Sequence, residues 1–163
     1  MDAIDRDIVR LLRANGRINQ ERVASVVGLS RPAVHERVKR LEECGVIRGY
    51  EALVDWDAIG LPVAAFVWLR TAGEARCRDV GLALMRLSGE TAMVQECHTV
   101  TGEWCLLLKV RAASPLALQD LLDTVRDVPG IAATSTTVAL STVGEHGSVL
   151  HERPLAHREG ATS

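Results

Sequence analysis

The chain has 163 residues, 47% of them hydrophobic, which suffices for the cores of one ordinary domain or two small ones. Its formal net charge is −2, yet the first 50 residues carry ten Lys and Arg against seven Asp and Glu, and the remainder is acidic. The acidic first residues are unlike a secretory signal peptide, and no apolar run is long enough to span a membrane. We therefore expect a cytoplasmic protein in which one module faces nucleic acid and an acidic module has another role.

Three helices are predicted in the basic region. The first covers residues 2–15, with Asp2 as its N-cap residue. The second follows the N-cap residue Asn19, and Gly28 allows the left-handed conformation that closes it. The third follows the N-cap residue Ser30 and ends at Gly45. Apolar residues at helical spacing predict a shared core formed by Ile4, Ile8, Leu11, Leu12, Val23, Ala24, Val27, Val34, Val38 and Leu41.

Two short helices joined by a glycine-containing corner are typical of a DNA-binding helix-turn-helix. When the apolar residues of the third helix point inward, its opposite side and flanks carry Arg31, Pro32, His35, Glu36, Arg37, Lys39 and Arg40. A charged helix face is by itself more often only solvated. The capped helix before it, the glycine corner and the basic excess of the region together favour DNA binding.

Three segments resemble the Lrp/AsnC (feast/famine) family of prokaryotic transcription regulators: IDRDIVRLLRANGRI, VGLSRPAVHERVKRLEECGVIRGY and VQECHTVTGEW. The resemblance extends over residues 2–143 and is most specific in the helix-turn-helix. It implies that the extended stretch 46–54 is a short wing or crossing strand. It also implies double-stranded DNA with a pseudo-palindromic operator as a partner. The residues implied to contact base edges are Ser30, Arg31, Pro32 and His35, with Lys39 and Arg40 directed to phosphates and Arg37 to either.

The remaining sequence predicts the order β-α-β-β-α-β, which is the ferredoxin-like order. Strands are expected over residues 62–71, 91–100, 103–111 and 131–141, and helices over residues 74–87 and from residue 115 onward. The predicted fold class is α+β, with an N-terminal winged helix-turn-helix domain of three helices and a C-terminal ferredoxin-like domain, regulatory in the family. The expected boundaries are 1–54 for DNA binding, 55–61 for a hinge, 62–143 for effector binding and oligomerisation, and 144–163 for a tail.

Both faces of the predicted sheet are apolar. One face of its third strand carries Trp104, Leu106 and Leu108, and the other carries Cys105 and Leu107. Both helices of a ferredoxin-like unit cover the same face, so a second subunit is expected to cover the other. We base this expectation on the Trp104 face, although the sequence leaves open which face is bare. The resemblance implies a homodimer that associates further into octamers.

Metal and catalytic sites are not predicted. Cys97 and His98 point to opposite faces of a strand, so the two side chains cannot coordinate one metal ion together with the nearby Cys105. The tail histidines are best explained as scattered surface residues: His146, His151 and His157. The sequence has no G-x-S-x-G, phosphate-loop or H-E-x-x-H motif, so we expect a protein that is not an enzyme and has no cofactor. The four cysteines lack C-x-x-C spacing and are expected to be reduced thiols.

The resemblance places a small-molecule effector, commonly an amino acid, near the hairpin between the second and third strands of the second module. The residues implied are His98, Thr101, Gly102, Glu103 and Trp104 of the hairpin with Thr134 and Thr136 of the final strand. Gly102 can adopt positive φ, and Glu103 can pair with an ammonium group. Cys105 stands where the family often has a second acidic residue. A plain hairpin is the alternative for this site, and an effector-independent architectural DNA-binding protein is the alternative for the function.

Overall fold

The computed structural model describes residues 1–73, 75–145 and 148–149. The chain forms two compact units that divide between Leu53 and Val54. No helix within the described ranges is both long and apolar enough to cross a membrane. The three tail histidines named above lie outside the described residues, so their predicted surface position stays a prediction.

Three helices form the first unit: α1 (Ala3–Ala14), α2 (Gln20–Val27) and α3 (Arg31–Glu43). Their apolar faces meet in one core, as the spacing of apolar residues predicts. The fully buried members are Ile8, Val23, Ala24, Val34, Val38 and Leu41. The predicted three-helix arrangement is confirmed.

Each of these helices begins at the cap predicted for it, because a side-chain oxygen accepts a hydrogen bond from a backbone amide three residues later. The pairs are Asp2 with the Asp5 amide at 2.8 Å, Asn19 with the Arg22 amide at 2.7 Å, and Ser30 with the Ala33 amide at 3.4 Å. Gly28 closes α2 with φ of 70°, a conformation that costs a glycine little. These local bonds fix where α3 begins and therefore which of its residues face outward.

The stretch 46–54 differs from its prediction, because it contains no strand within the described residues. The Ile47 amide donates to the Leu41 carbonyl at 3.0 Å, which turns the chain back at the end of α3. The Tyr50 hydroxyl donates to the Glu42 carboxylate at 2.9 Å. Both contacts hold the segment against α3. A strand would instead need a neighbouring strand with which to share a ladder.

The second unit contains the predicted β-α-β-β-α-β order. Its elements are β1 (Val63–Thr71), α4 (Cys77–Leu84), β2 (Ala92–Thr99), β3 (Leu106–Ala112), α5 (Pro115–Arg126) and β4 (Ile131–Val138), followed by a short hairpin of β5 (Gly144–Glu145) and β6 (Ser148–Val149). The four long strands form one antiparallel sheet in the order β2-β3-β1-β4. The α+β prediction is confirmed.

Several predicted boundaries were too wide. The helix expected over residues 74–87 is α4, which ends at Leu84 because the chain then tightens into bonds three residues apart, including Leu87 amide to Leu84 carbonyl at 3.0 Å. The third strand begins at Leu106 instead of residue 103, because residues 100–105 form the hairpin. The last strand ends at Val138 instead of residue 141.

The two helices cover only one face of the sheet, and this decides a question that the sequence left open. Leu106 and Leu108 are fully buried beneath α4 and α5, where they contact the core formed with Leu84 and Val125. The face on which we based the expected subunit contact is therefore the unit's own core, and Trp104 lies outside β3. The opposite face, here called the outer face, carries Ala64, Phe66, Trp68, Leu107, Lys109 and Arg111.

Candidate functional site

The N-terminal end of α3 is open to solvent. The four residues predicted to contact bases are all exposed: Ser30, Arg31, Pro32 and His35. The Nδ1 atom of His35 lies 3.2 Å from the side-chain nitrogen of Gln20, which links it to α2. Within the described ranges the Arg31 guanidinium forms no ion pair. Its five donors are therefore available for a planar acceptor such as a guanine edge.

A buried carboxylate joins α1 to α3. The Asp5 side chain is only 1% exposed and accepts hydrogen bonds from Arg37 at 2.7 Å and, through both oxygens, from Arg40 at 2.9 Å. Asp2 accepts a further bond from Arg37 at 2.7 Å. Burial raises the pKa of Asp5, but the Asp2 amide and the two arginines outweigh it, so this pKa lies below its usual value. The cluster is therefore ionised at neutral pH.

This cluster gives two of the predicted DNA-contacting cations a structural role. Arg37 is half-buried against α1, whereas the Arg40 side chain remains 59% exposed. Lys39 is equally exposed at 59% and has only a 3.9 Å contact with Glu43. Contact with DNA stays a prediction for all three residues. Of these three cations, Lys39 makes the weakest contact within the protein, so we expect its removal to change the stability of the first unit least.

The hairpin between β2 and β3 has an exposed tip. The Val100 amide donates to the Cys105 carbonyl at 3.0 Å, and Gly102 between them has φ of 117°. Thr101 and Glu103 are exposed on either side of it, and neither side chain forms a hydrogen bond with another described residue. Trp104 is half-buried, with the Arg70 guanidinium 5.9 Å from its ring centre. The tip therefore offers a free carboxylate next to an aromatic surface.

The predicted effector residues divide between the two sheet faces. Thr134 pairs with Leu69 and Thr136 with Val67, so both threonines lie on the face covered by helices and share that face as predicted. His98 pairs with Leu107 and lies on the outer face, where its ring nitrogen is 2.9 Å from the Glu96 carboxylate. Leu69 pairs in turn with the first residue of β3, so Thr134 is separated from the β2–β3 hairpin by the whole width of β1. The structure thus does not bring His98 to the threonines.

A second buried ion cluster, which was not predicted from the sequence, lies on the outer face. Glu145 of β5 forms an ion pair with Lys109 at 2.9 Å and another with Arg111, whose side chain is 4% exposed. The Trp56 indole nitrogen donates to Glu145 at 3.2 Å, and the Arg111 guanidinium lies 5.1 Å from the Trp56 ring centre. Burial raises the pKa of Glu145, but the two cations outweigh it and the pKa is lowered. The residues expected to begin the tail and the hinge are thereby bound to the sheet.

In the described part of the chain, no three His, Cys, Asp or Glu side chains are grouped so that they could hold a metal ion. Cys97 pairs with Leu108 on the helix-covered face, whereas His98 next to it lies on the outer face. These two neighbouring side chains of β2 therefore point to opposite faces of the sheet, as the alternation along a strand predicts.

Two family models match the chain. Residues 1–48 match winged helix-turn-helix DNA-binding domains, and residues 64–149 match the Lrp/AsnC ligand binding domain. The chain belongs to the Lrp/AsnC family. This Lrp/AsnC protein is accordingly a DNA-binding transcriptional regulator, and the family that its sequence segments resemble is confirmed.

Individual relatives agree with this assignment. The Lrp/AsnC chain is 37% identical over 138 residues to the HTH-type transcriptional regulator LrpA of Mycobacterium tuberculosis, covering 85% of this chain and 89% of that protein. It is 36% identical over 145 residues to the leucine-responsive regulatory protein of Haemophilus influenzae, covering 88% and 86%. A solved structure of the feast or famine regulatory protein from M. tuberculosis, complexed with L-methionine, superposes with a TM-score of 0.81 at 36% identity and covers 90% of this chain and 97% of that one.

Proposed function

We propose that this protein is a cytoplasmic, sequence-specific regulator that assembles into dimers and higher oligomers and changes its DNA binding in response to an amino acid or a similar metabolite. The observation that carries this proposal is the exposed N-terminal end of α3, which presents Arg31 and His35 to solvent. The second unit of the same chain matches the Lrp/AsnC ligand binding domain. We assign base contacts to Ser30, Arg31, Pro32 and His35. Lys39 and the exposed part of Arg40 are assigned to phosphates, and Arg37 mainly to the ion cluster with Asp5.

The effector site is assigned to the hairpin tip. Glu103 supplies a free carboxylate for an ammonium group, Trp104 supplies an apolar surface, and Gly102 leaves the backbone accessible. A relative whose solved structure contains L-methionine supports an amino acid as the ligand. We keep Thr134 and Thr136 in the proposed effector site together with the hairpin tip. His98 lies on the opposite face of the sheet from the two threonines, so we assign it no direct contact with the effector.

Titration calorimetry with the full chain tests the effector assignment. We expect L-methionine or another amino acid to release or absorb heat on binding, and Glu103→Gln to weaken that binding by about tenfold, because a charged hydrogen bond contributes about 1.5 kcal/mol or more. Gly102→Ala should weaken it too, because φ of 117° strains any residue with a Cβ atom. The matched control is Glu90→Gln, which changes an exposed carboxylate two residues before β2 begins, at the end of that strand away from the hairpin.

The architectural alternative has one residue in its favour. Cys105 offers no charge where the family often has an acidic residue, so the site has fewer partners for an ammonium group. If no amino acid gives heat while operator binding is normal, the ligand-free architectural function replaces the one proposed. Equal affinity of an amino acid for the wild type and for Glu103→Gln would instead show that the binding site is not at the hairpin tip.

Assembly is assigned to the outer face of the sheet. Phe66 is 38% exposed there, and Trp68 and Leu107 next to it are half-buried, although neither α4 nor α5 covers this face. A second copy would remove this apolar surface from water. We expect Phe66→Glu to yield smaller particles than the wild type in light scattering at micromolar concentration. Leu116→Glu, on the exposed side of α5, is the control that should keep the wild-type dimer, and a monomeric wild type would contradict the assignment.

A further inference from the structure

Two thiols and one hydroxyl meet where three elements of the second unit come together. Thr71 is the last residue of β1, Cys77 is the first residue of α4, and Cys105 directly precedes β3. The Thr71 hydroxyl oxygen lies 3.6 Å from the sulfur of Cys77 and 3.6 Å from the sulfur of Cys105. The two sulfurs are therefore separated by at most twice that distance, although the residues are far apart in sequence.

The backbone fixes this meeting point. The Cys105 amide donates to the Leu69 carbonyl at 2.9 Å, and the Cys105 thiol lies 3.6 Å from the same oxygen. Burial raises the pKa of the Cys105 thiol, but hydrogen bonds with Cys77 and Thr71 outweigh it, and the pKa lies below its usual value. A larger thiolate fraction makes a cysteine more reactive toward oxidants. Both cysteines are only partly buried, so a small oxidant has access to them.

The other two cysteines lack this arrangement. Cys97 lies on the helix-covered face of β2, where its sulfur is packed against Gly81, so closely that a Cβ atom on that glycine would lie 3.1 Å away. Burial raises the pKa of Cys97, which leaves it a poorer nucleophile. Cys44 is exposed, but it ends α3 in the first unit. Cys77 and Cys105 are therefore the pair expected to react with an oxidant, and Cys44 and Cys97 serve as controls.

We propose that Cys77 and Cys105 form a thiol pair that hydroperoxides oxidise to a reversible disulfide at the base of the hairpin. The Cys105 thiolate attacks the terminal peroxide oxygen, the O–O bond breaks, and Cys105 becomes a sulfenic acid. The other oxygen leaves and takes up the proton that Cys105 released on ionising, which gives water or an alcohol. The Cys77 sulfur then attacks the sulfenic sulfur, the S–O bond breaks, and the hydroxyl leaves as water after taking up the proton that the Cys77 thiol releases. One peroxide is reduced for each pair of thiols oxidised.

The bond would tie the start of α4 to the base of the hairpin whose tip is the proposed effector site. A disulfide needs a short and fixed separation between the two Cβ atoms, so its formation would restrict the position of the hairpin base relative to α4. We expect the oxidised protein to bind amino acids differently from the reduced protein. That consequence rests on the proposed function, whereas disulfide formation itself does not, so the two are measured separately.

Peptide mapping of the full folded chain tests the disulfide. The protein is treated with a small excess of hydrogen peroxide, the remaining thiols are blocked by alkylation, and the chain is cut after glutamate, which places each of its four cysteines on a different peptide. We expect one linked species that joins the Cys77 and Cys105 peptides, is lighter by two hydrogen atoms than the two reduced peptides together, and disappears after treatment with dithiothreitol. Cys77→Ser and Cys105→Ser should abolish it, and Cys44→Ser and Cys97→Ser should leave it unchanged.

A second pair of variants tests whether the Thr71 hydroxyl positions the Cys105 thiol for reaction or Thr71 only supports the local structure. Thr71→Val removes the hydroxyl and should slow the reaction of Cys105 with peroxide, while Thr71→Ser should restore it. Links that involve Cys44 or Cys97, oxidation of Cys105 to sulfinic acid without any link, or unreacted thiols at both positions would each overturn the proposal. These outcomes are read by mass alone and do not depend on whether an amino acid binds.

Discussion

We expect Asp5→Ala to lower the free energy of unfolding of the first unit by about 2–3 kcal/mol, because it removes the buried acceptor of charged hydrogen bonds from Arg37 and Arg40. The loss is smaller than for a fully buried ion pair because the arginines are partly exposed and can turn toward water. Hydrogen exchange of amides in α1 and α3 measures the change. The three tryptophans all lie in the second unit, so the tryptophan fluorescence transition should not move.

Asp7→Ala is the matched control for this variant. Asp7 lies on the same helix and contacts Arg10 at 3.0 Å, but the two side chains are 48% and 76% exposed, so its removal should cost less than about 0.5 kcal/mol. Because the folded-state pKa values of Asp2 and Asp5 are lowered, their contribution is complete above the usual carboxyl pKa of about 3.9 and is lost as the pH falls through the lowered values. Similar exchange in both variants at neutral pH would refute a stabilising Asp5.

Glu145→Ala should produce the largest loss in the second unit, about 3 kcal/mol, because it leaves Arg111 and Lys109 without their shared carboxylate. The Arg111 and Lys109 side chains are only 4% and 17% exposed, so water cannot easily replace Glu145. Chemical denaturation followed by tryptophan fluorescence should show a lower midpoint, since Trp56 donates to the same carboxylate.

Two further variants define the cause of that loss. Glu145→Gln keeps an oxygen acceptor for Trp56 but removes the charge, so it should recover only part of the stability. Glu90→Ala removes an exposed carboxylate of the same unit and should leave the midpoint unchanged. If Glu145→Ala behaves like Glu90→Ala, the ion cluster on the outer face contributes nothing to stability.

The features predicted well from the sequence are local ones. The caps Asp2, Asn19 and Ser30 and the closing glycine of α2 each depend on residues within one turn, so the chain itself contains the information. The spacing of apolar residues then fixes which side of α3 is exposed, and the order of elements follows from their periodicity. The fold of both units could therefore be predicted, apart from the strand expected within residues 46–54 and boundaries such as the early end of α4.

The features that were missed join residues far apart in sequence. Asp5 is 32 residues from Arg37, and Glu145 is 34 residues from Arg111. A signal was available for Asp5, because it lies three residues before Ile8 and therefore on the apolar stripe of α1, where an unpaired carboxylate would be costly. No comparable signal marked Glu145. The bare face of the sheet was also undecidable, because apolar residues line both faces of β3 and only the packing of the helices distinguishes them.

Selection of binding sites from random double-stranded DNA, carried out with the full chain, tests the regulator assignment most directly. We expect a pseudo-palindromic motif to be enriched with the wild type. Arg31→Ala and His35→Ala should lose discrimination at particular base pairs, by about 1–3 kcal/mol for each lost base contact. Lys39→Ala should weaken all sequences alike and reduce the salt dependence. Enrichment of no motif, or of the same motif with equal discrimination in all three variants, would contradict recognition through α3.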